Sequence, residues 1–449
     1  MGSFSFGAIG FSGLFGFDVQ ALVNQLLFVE KAPVRLLEGQ QLQLGAQSSA
    51  LSDINSKLLG LQDAVNALND PFGKFNSNLT ASSDISVLTA TADATAAFGT
   101  HTITVSALAT TSSFSSNQLA EDSTTFATGS FDLQVGAGAP VTITVDSGNN
   151  TLDGLATEIN SQDLGVTATV ITDANGARLS LVSDTTGEPG DLTISNNTTG
   201  LALTEDVAGT NASLTVDGIS ISSTSNTVSG AISGVTLNLT GTSGTDVTVT
   251  VQSDTAQARE AIEEFVASYN AVVQAINAQS GTGAPLAGNS SLRLVQEQIL
   301  SAATHSITGN NGFVNLAAIG INTQADGTLS VDGNKLDGSL STNFTEVQNL
   351  LQSQSPAGVA QNFSDKLTAL TDTINGPLHI ALKGVTNSTK NLTDQIDAFE
   401  VRLEFRQQAL IEEFSRINSL LRALPSIELQ IQNQLNALQQ TNLFLMKVG

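Results

Sequence analysis

The sequence predicts an α+β chain: terminal helical arms forming a coiled coil or helical bundle, with two nested antiparallel β-domains inserted between them. Three observations lead there. Apolar residues recur at three-and-four spacing near both ends, the residues between alternate with period two among serines and threonines, and that middle stretch is acidic. Near the start, Leu37, Leu44, Leu51, Leu58 and Val65 recur every seven residues with Ile54, Leu61 and Leu68 between them, the template of a coiled-coil seam. Near the end, Leu392, Ile396, Phe399, Leu403, Leu410, Ile417, Leu420 and Leu424 fall on the same template. A helix with such a stripe cannot hide it alone, so the ends are expected to pack on each other or on neighbouring subunits. That favours assembly over a pocket enzyme.

Taken in order, residues 1–42 read as a flexible leader followed by N-terminal leg helices. Residues 1–17 are rich in Gly, Phe and Ser without a period. Asp18 is a suitable N-cap for a helix presenting Val19, Leu22, Val23 and Leu26, and Pro33 suits the start of the next. Residues 43–77 form the N-terminal part of a helical bundle, ended by Asn69, Asp70 and Pro71. The first part of an inner β-domain is expected over 78–115, an outer inserted β-domain over 116–204, and the second part of the inner one over 205–254. Alternation at 102–105 and 247–251 marks strands with exposed threonine faces. TLDGLATEIN (151–160) reads as a short helix capped near Thr151 or Asp153, followed by strands at 166–171 and 179–182 about an Asn175-Gly176 hairpin. Residues 255–424 return to bundle and coiled coil, with Ala258, Ile262, Phe265, Tyr269, Val272 and Ile276 at heptad spacing. A hairpin near 319–331, its strands at 319–322 and 328–331, turns at Asp326-Gly327. Pro425 is expected to break the long helix, leaving 425–449 as a C-terminal leg with Ile427, Ile431, Leu435 and Leu438, and further apolar residues Leu443, Phe444 and Leu445. Nesting the β-domains in the bundle brings the two ends of the chain together.

A chain of 449 residues suits about three domains at roughly 150 residues each. Lys+Arg 16 against Asp+Glu 41 gives a net charge of -25, which repels nucleic acid and anionic membranes, so neither is expected as a partner. Between residues 75 and 258 the only Lys or Arg is Arg178, against eighteen acidic side chains. With no cysteine there is no disulfide or thiolate site, and His101, His305 and His379 lie far apart, so no metal or cofactor is expected. No run of about 18 apolar residues suggests membrane insertion. The first Lys is Lys31, so the N-terminus does not read as a general secretory signal, and export would need another route.

The spacings GxSxG, GxxxxGK[ST] and HExxH are missing, which argues against enzyme chemistry. Asn322, Gln324, Asp326 and Gly327 loosely follow a calcium loop, but Gly333 stands where the closing Glu belongs, so a plain turn is the reading. One Tyr and no Trp leave little to line a sugar cleft, and the carboxylates are read as a solvated surface that discourages edge pairing. His101 falls in a strand pattern and His305 in a helical one, both as surface or packing residues. The terminal stripes, Val19, Leu22, Val23 and Leu26 with Ile427, Ile431, Leu435 and Leu438, are the candidate contacts to partners or other subunits.

Several blocks in fixed order resemble one family. They are SGLFGFDVQALVNQLLFVEKAPVRLLEGQ (12–40), AFGTHTITVSALAT (97–110), VDGISISSTSNTVSGAISGVTLNLTG (216–241), VTVTVQSDTAQAREAIEEFVASYNAVVQAIN (247–277) and AAIGINTQADGTLSVDGNKL (317–336). These are similar to bacterial flagellar hook-associated protein 2, the filament caps. TLDGLATEIN, with Val166, Ala168, Arg178, Leu179, Leu181, Ser183 and Gly187, looks like the repeat shared by flagellin and hook-associated proteins. The resemblance implies export through the flagellar type III channel with an export chaperone, and a homo-oligomeric ring, a pentamer, at the filament tip. It implies that the cap promotes folding and insertion of flagellin, prevents its loss to the medium and supports motility, with hook-filament junction proteins as further partners. The alternative reading is a secreted surface adhesin whose acidic β-domains bind mucin or a host cell surface.

Overall fold

The structure, a computed structural model, describes residues 18–445, with side chains described as far as residue 438. Helix α1 (Val19–Glu30) starts where the Asp18 carboxylate accepts from the Ala21 amide at 3.0 Å, satisfying one of the free N–H groups of a helix start. After Lys31 comes α2 (Ala32–Asn69), with Pro33 in its first turn, where a missing N–H is tolerated. The chain then turns through Phe75 into strands.

The inner β-domain receives β1 (Asn78–Ser82), β2 (Leu88–Ala92) and β3 (Gly99–Ala107). An outer one follows with β4 (Thr111–Ser116), β5 (Gly129–Val135), β6 (Val141–Val145), α3 (Leu152–Ser161), β7 (Val166–Asp173), β8 (Gly176–Thr186), β9 (Leu192–Ser195) and β10 (Leu203–Val207). The chain returns through β11 (Ala212–Val216), β12 (Ile219–Ser223), β13 (Thr227–Ile232), β14 (Val235–Leu239) and β15 (Val247–Ser253). The inner sheets run β1-β15-β3-β11-β12 and β13-β14-β2, and enclose Leu88, Ile103, Val105, Leu214, Leu237 and Val249. The outer sheets run β10-β4-β8-β7 and β6-β5-β9, and close with α3 over Phe131, Ile143, Leu155, Leu179 and Leu181. All named pairings within these sheets are antiparallel, Val247 for instance facing Ile103. Valines of β15 point inward while its threonines face out, the period-two pattern of a strand with one wet face.

Helices resume at α4 (Thr255–Ser280), capped by Asp254, and α5 (Ser290–Ala303). After the hairpin β16 (Ile321–Thr323) and β17 (Leu329–Val331) come α6 (Gly333–Thr342), α7 (Phe344–Gln352), α8 (Val359–Leu370) and α9 (Pro377–Leu445). The lower half of α2 inserts Leu51, Ile54, Leu58, Leu61, Val65 and Leu68 into a bundle core with Ile262, Phe265, Tyr269 and Val272 of α4 and Phe363 and Leu367 of α8. Fully burying each such side chain contributes about 1.5–3 kcal/mol. Phe363 meets Phe265 and Tyr269 edge-on, with centroids 5.1 and 6.0 Å apart. None of the described helices is long and apolar enough to cross a membrane.

The upper half of α2 leaves the bundle and pairs with α9. Gln41 of α2 donates to Thr393 of α9 at 2.9 Å, Leu44 and Gln47 share a cleft with Ser388 and Leu392, and Val34 and Glu38 share one with Glu400 and Leu403, so rising numbers on one helix meet falling numbers on the other. The pair is antiparallel. Leu37 and Leu44 are only half-buried there, since α4 and α8 no longer cover them, whereas Leu51, Leu58 and Val65 are fully enclosed.

Four local expectations need correction. Asp173 faces Gly176 across the β7–β8 hairpin, so Ala174 and Asn175 occupy the turn rather than Asn175 and Gly176. The Asp173 carboxylate accepts from both the Asn175 and Gly176 amides, which fixes that frame. Ile319 closes a 3-10 turn, and the strand begins at Ile321. His305 lies beyond the end of α5 and reaches the Ala357 carbonyl at 2.9 Å. Pro425 does not end the long helix: α9 runs through it to Leu445. Proline removes one backbone donor, leaving the Leu421 carbonyl to solvent, and the helical residues on both sides absorb a cost of about 3 kcal/mol. The 425–449 segment is therefore a continuation of α9 as far as that helix is described. Residues 1–17, and the side chains of Leu443, Phe444 and Leu445, lie outside the described residues.

Candidate functional site

The leg is built by α1, the upper half of α2 and the far half of α9. Val23 and Leu27 of α1 are buried against Leu410, with Val19, Leu403, Ile411 and Phe414 packed around them. Val23 therefore faces its own chain, and a partner reaches it only if α1 lifts off. Val19 and Leu22 are half-buried, and Leu26 is exposed. Along α9, Leu392, Phe399 and Leu403 are half-buried, Ile396 and Leu410 are buried, and Ile417, Leu420 and Leu424 are exposed. Further out, Ile427, Ile431, Leu435 and Leu438 are 46–63% exposed, an apolar row on a helix that has left the body of the molecule.

The two parts of the expected contact surface thus differ. The α9 residues are free in the single chain; two of the four α1 residues serve mainly to hold α1 on α9. Sequence spacing alone missed four further apolar residues at the height of the elbow between α1 and α2: Phe28 and Val29 on α1, and Val401 and Phe405 on α9, are all more than half exposed. Their positions fall outside the heptad template, so only large apolar residues on the outer helix face could have signalled them. Arg35 lies 4.4 Å over the Phe28 ring, and Arg402 lies 4.3 Å over that of Phe399.

Titratable groups elsewhere serve local structure. Hydrogen bonds from the Ser86 hydroxyl and amide hold the Asp84 carboxyl below the usual range, and those of Thr95 do the same for Asp93. The Asp326 carboxylate accepts from the Thr328 hydroxyl and amide, closing its hairpin as an ordinary turn. His101 Nδ1 lies 2.8 Å from Asp217 Oδ2, and that contact, followed by the Thr102 amide, lowers the Asp217 carboxyl. Among the described residues no three His, Cys, Asp or Glu side chains converge as metal ligands do.

A two-layered β-head on a helical stalk, the far part of whose longest helix carries a row of exposed apolar residues, defines a subunit of an assembly whose contacts involve helices. Comparison with known proteins narrows the class. Family models described as flagellar hook-associated protein 2 N-terminus and C-terminus match residues 15–112 and 209–426, and a flagellin hook IN motif matches 127–185. The B-type flagellar hook-associated protein 2 of Pseudomonas aeruginosa is 31% identical over 444 residues, covering 90% of this chain and 92% of its own. Flagellar hook-associated protein 2 of Escherichia coli is 28% identical, covering 93% and 96%. The crystal structure of the D1-D2-D3 domains of the flagellar cap protein FliD from Escherichia coli superposes with a TM-score of 0.60 at 28% identity, covering 75% of this chain and 99% of that one. The chain belongs to the flagellar hook-associated protein 2 family, a structural family and not an enzyme family.

Proposed function

We propose that this chain is exported to the tip of the bacterial flagellum and caps the filament there. It forms a homo-oligomeric ring, a pentamer, beneath which arriving flagellin folds and inserts instead of escaping to the medium. The β-domains make the plate of the cap and the helical legs reach the filament end. The observation that carries this reading is the row Ile427, Ile431, Leu435 and Leu438, apolar and exposed on the far part of a 69-residue helix. An apolar row left bare in the single chain suits contacts that form and release as subunits are added. Leu22 and Leu26 join that surface in the assembled state, and Val19 and Val23 do so where α1 lifts off α9. Hook-filament junction proteins below the cap and a type III export chaperone complete the expected partners. No observation favours the adhesin alternative.

The test deletes the gene and measures unpolymerised flagellin in the culture medium. Complementation uses the full-length chain, a chain lacking 425–449, and a Leu435→Asp/Leu438→Asp chain. Leakage rescued by the first and not by the other two is expected. Normal filaments without the gene, or full rescue by the double Asp variant, would sink the leg assignment.

A further inference from the structure

Beside the elbow of the leg lies a groove of about 520 Å³ floored by Val29, Pro33, Phe399 and Leu403, with Arg402 and Arg406 on its rim. Arg406 reaches Glu30 at 3.4 Å, and Arg402 has no carboxylate partner among the described residues. The rim therefore keeps a positive excess in a chain whose net charge is -25. On the same helix Val401 stands 53% exposed, with Asp397 four residues before it and Glu404 three residues after. Residues at those spacings share one helix face, so an apolar knob sits between two exposed carboxylates. The groove and the knob lie on different sides of one rigid helix, so a leg cannot fill its own groove.

We propose that Val401 of a second copy of this chain seats in this groove, with Asp397 and Glu404 against Arg402 and Arg406. Socket and knob are at the same height on the leg, so copies standing side by side bring them level. A filament subunit meeting the leg tip at 427–438 would not. A socket on one side and its complement on another is the heterologous arrangement that closes into a ring when the rotation between copies divides a full turn. The charge pattern sets orientation, since exposed ion pairs direct an encounter more than they tighten it. This inference rests on the ring proposed above and adds which surfaces of neighbouring legs meet.

The absence of cysteine makes the test direct, because introduced thiols are the only ones in the chain. Full-length Val29→Cys and Val401→Cys chains are mixed at a concentration where light scattering finds wild type oligomeric, then gently oxidised. Mixed disulfide dimers are expected at about ten times the yield obtained when Thr227→Cys on the head replaces the knob variant, because seating raises the effective concentration of the two thiols. Arg402→Glu in the socket chain should remove them, and Asp397→Arg/Glu404→Arg in the knob chain should restore them, with far-UV circular dichroism unchanged throughout. Mixed dimers no commoner than the control, or indifferent to the charge reversals, overturn the leg contact. If rings persist in that case, the cap reading stands without it. Wild type that stays monomeric at every concentration and gives no cross-link overturns both.

Discussion

Replacing Asn270 with Ala removes a side chain that acts as a strand. From α4 its Nδ2 donates to the Leu329 carbonyl at 2.8 Å, and its Oδ1 accepts from the Leu329 amide at 2.7 Å. Leu329 is buried, so alanine leaves one N–H and one C=O without partners and shielded from bulk water. Each stranded group costs about 1–3 kcal/mol, and since the two are coupled we expect a loss of about 2–4 kcal/mol in the helical bundle. The neighbouring clamps provide a scale. Tyr269 donates to the Gly327 carbonyl at 3.0 Å, with burial pushing its phenol up to about 12, so it remains a neutral donor at ordinary pH. Asn277 donates to the Asp326 carbonyl at 2.8 Å in an exposed setting, and Asn277→Ala should stay within about 1 kcal/mol of wild type because water replaces the bond. Urea unfolding followed by far-UV circular dichroism gives the two differences, and hydrogen exchange of the 321–331 peptide localises them. Equal midpoints for the two variants, or unchanged exchange in that peptide after Asn270→Ala, would refute the reasoning.

Gly187, at φ +80, joins the two β-domains where a Cβ would lie 2.7 Å from the Thr224 carbonyl and the Asn211 amide oxygen. Gly187→Ala should cost about 2–3 kcal/mol through strain and clash, read as a lower melting temperature and faster proteolysis near that joint. Gly60 lies in mid-α2 with nothing within 4 Å of a Cβ, so Gly60→Ala should add about 0.5–1 kcal/mol and raise the melting temperature. In the head, Asp84, Asp93, Asp132 and Asp217 are all held below the usual carboxylate range. A depressed folded-state pKa contributes stability that is present above the unfolded value and is lost as pH falls through the folded one. The melting temperature of the head should therefore be flat above that range and drop on further acidification, less steeply in Asp217→Asn; a rise, as relief of the chain's negative charge alone would give, would contradict this.

Where a feature was set by a few neighbouring residues, it was legible. Asp18 capping α1, Pro33 opening α2, Thr151 capping α3 and Asp326-Gly327 turning a hairpin depend on contacts within a few residues, and each stands as its local chemistry requires. The alternation at 102–105 and 247–251 also survived, because those strands pair with each other and keep one face dry. Misreadings came where a second contact competed. Asn175-Gly176 carries a strong turn signal, yet the Asp173 carboxylate captures both amides and shifts the turn by one residue. Pro425 lowers helix stability at one position, but the helix formers around it outweigh the loss. Val23 resembles Leu435 in sequence pattern, and only the packing of α1 on Leu410 separates a buried residue from an exposed one.

Asparagines at strand edges were not legible at all, since their partners are distant or outside any periodic pattern. Asn160 on α3 pairs by both amide atoms with Ala168 on β7, an edge strand of the outer domain. Asn226 does the same with Ala109 where the inner domain gives way to the outer. At the opposite edge of that outer sheet, β10 carries Glu205 and Asp206 and a register shift against β4. Threonine-rich neutral strands would otherwise offer free edges to any neighbour; Asn160 occupies backbone groups of β7, and the acidic pair with its register shift discourages pairing at β10. The exposed apolar residues of the leg run from Val29 and Val401 to Leu438, whereas those of the head, such as Ile85, Phe98, Ile171 and Ile219, are spread over several strands and loops. Helices, whose backbone groups away from the ends and from Pro425 are bonded internally, can meet a partner through side chains and part from it without unravelling a sheet. A chain that must hold a filament end and still let new subunits pass gains from that division: both edges of the outer four-stranded sheet guarded in the head, side-chain contacts in the leg.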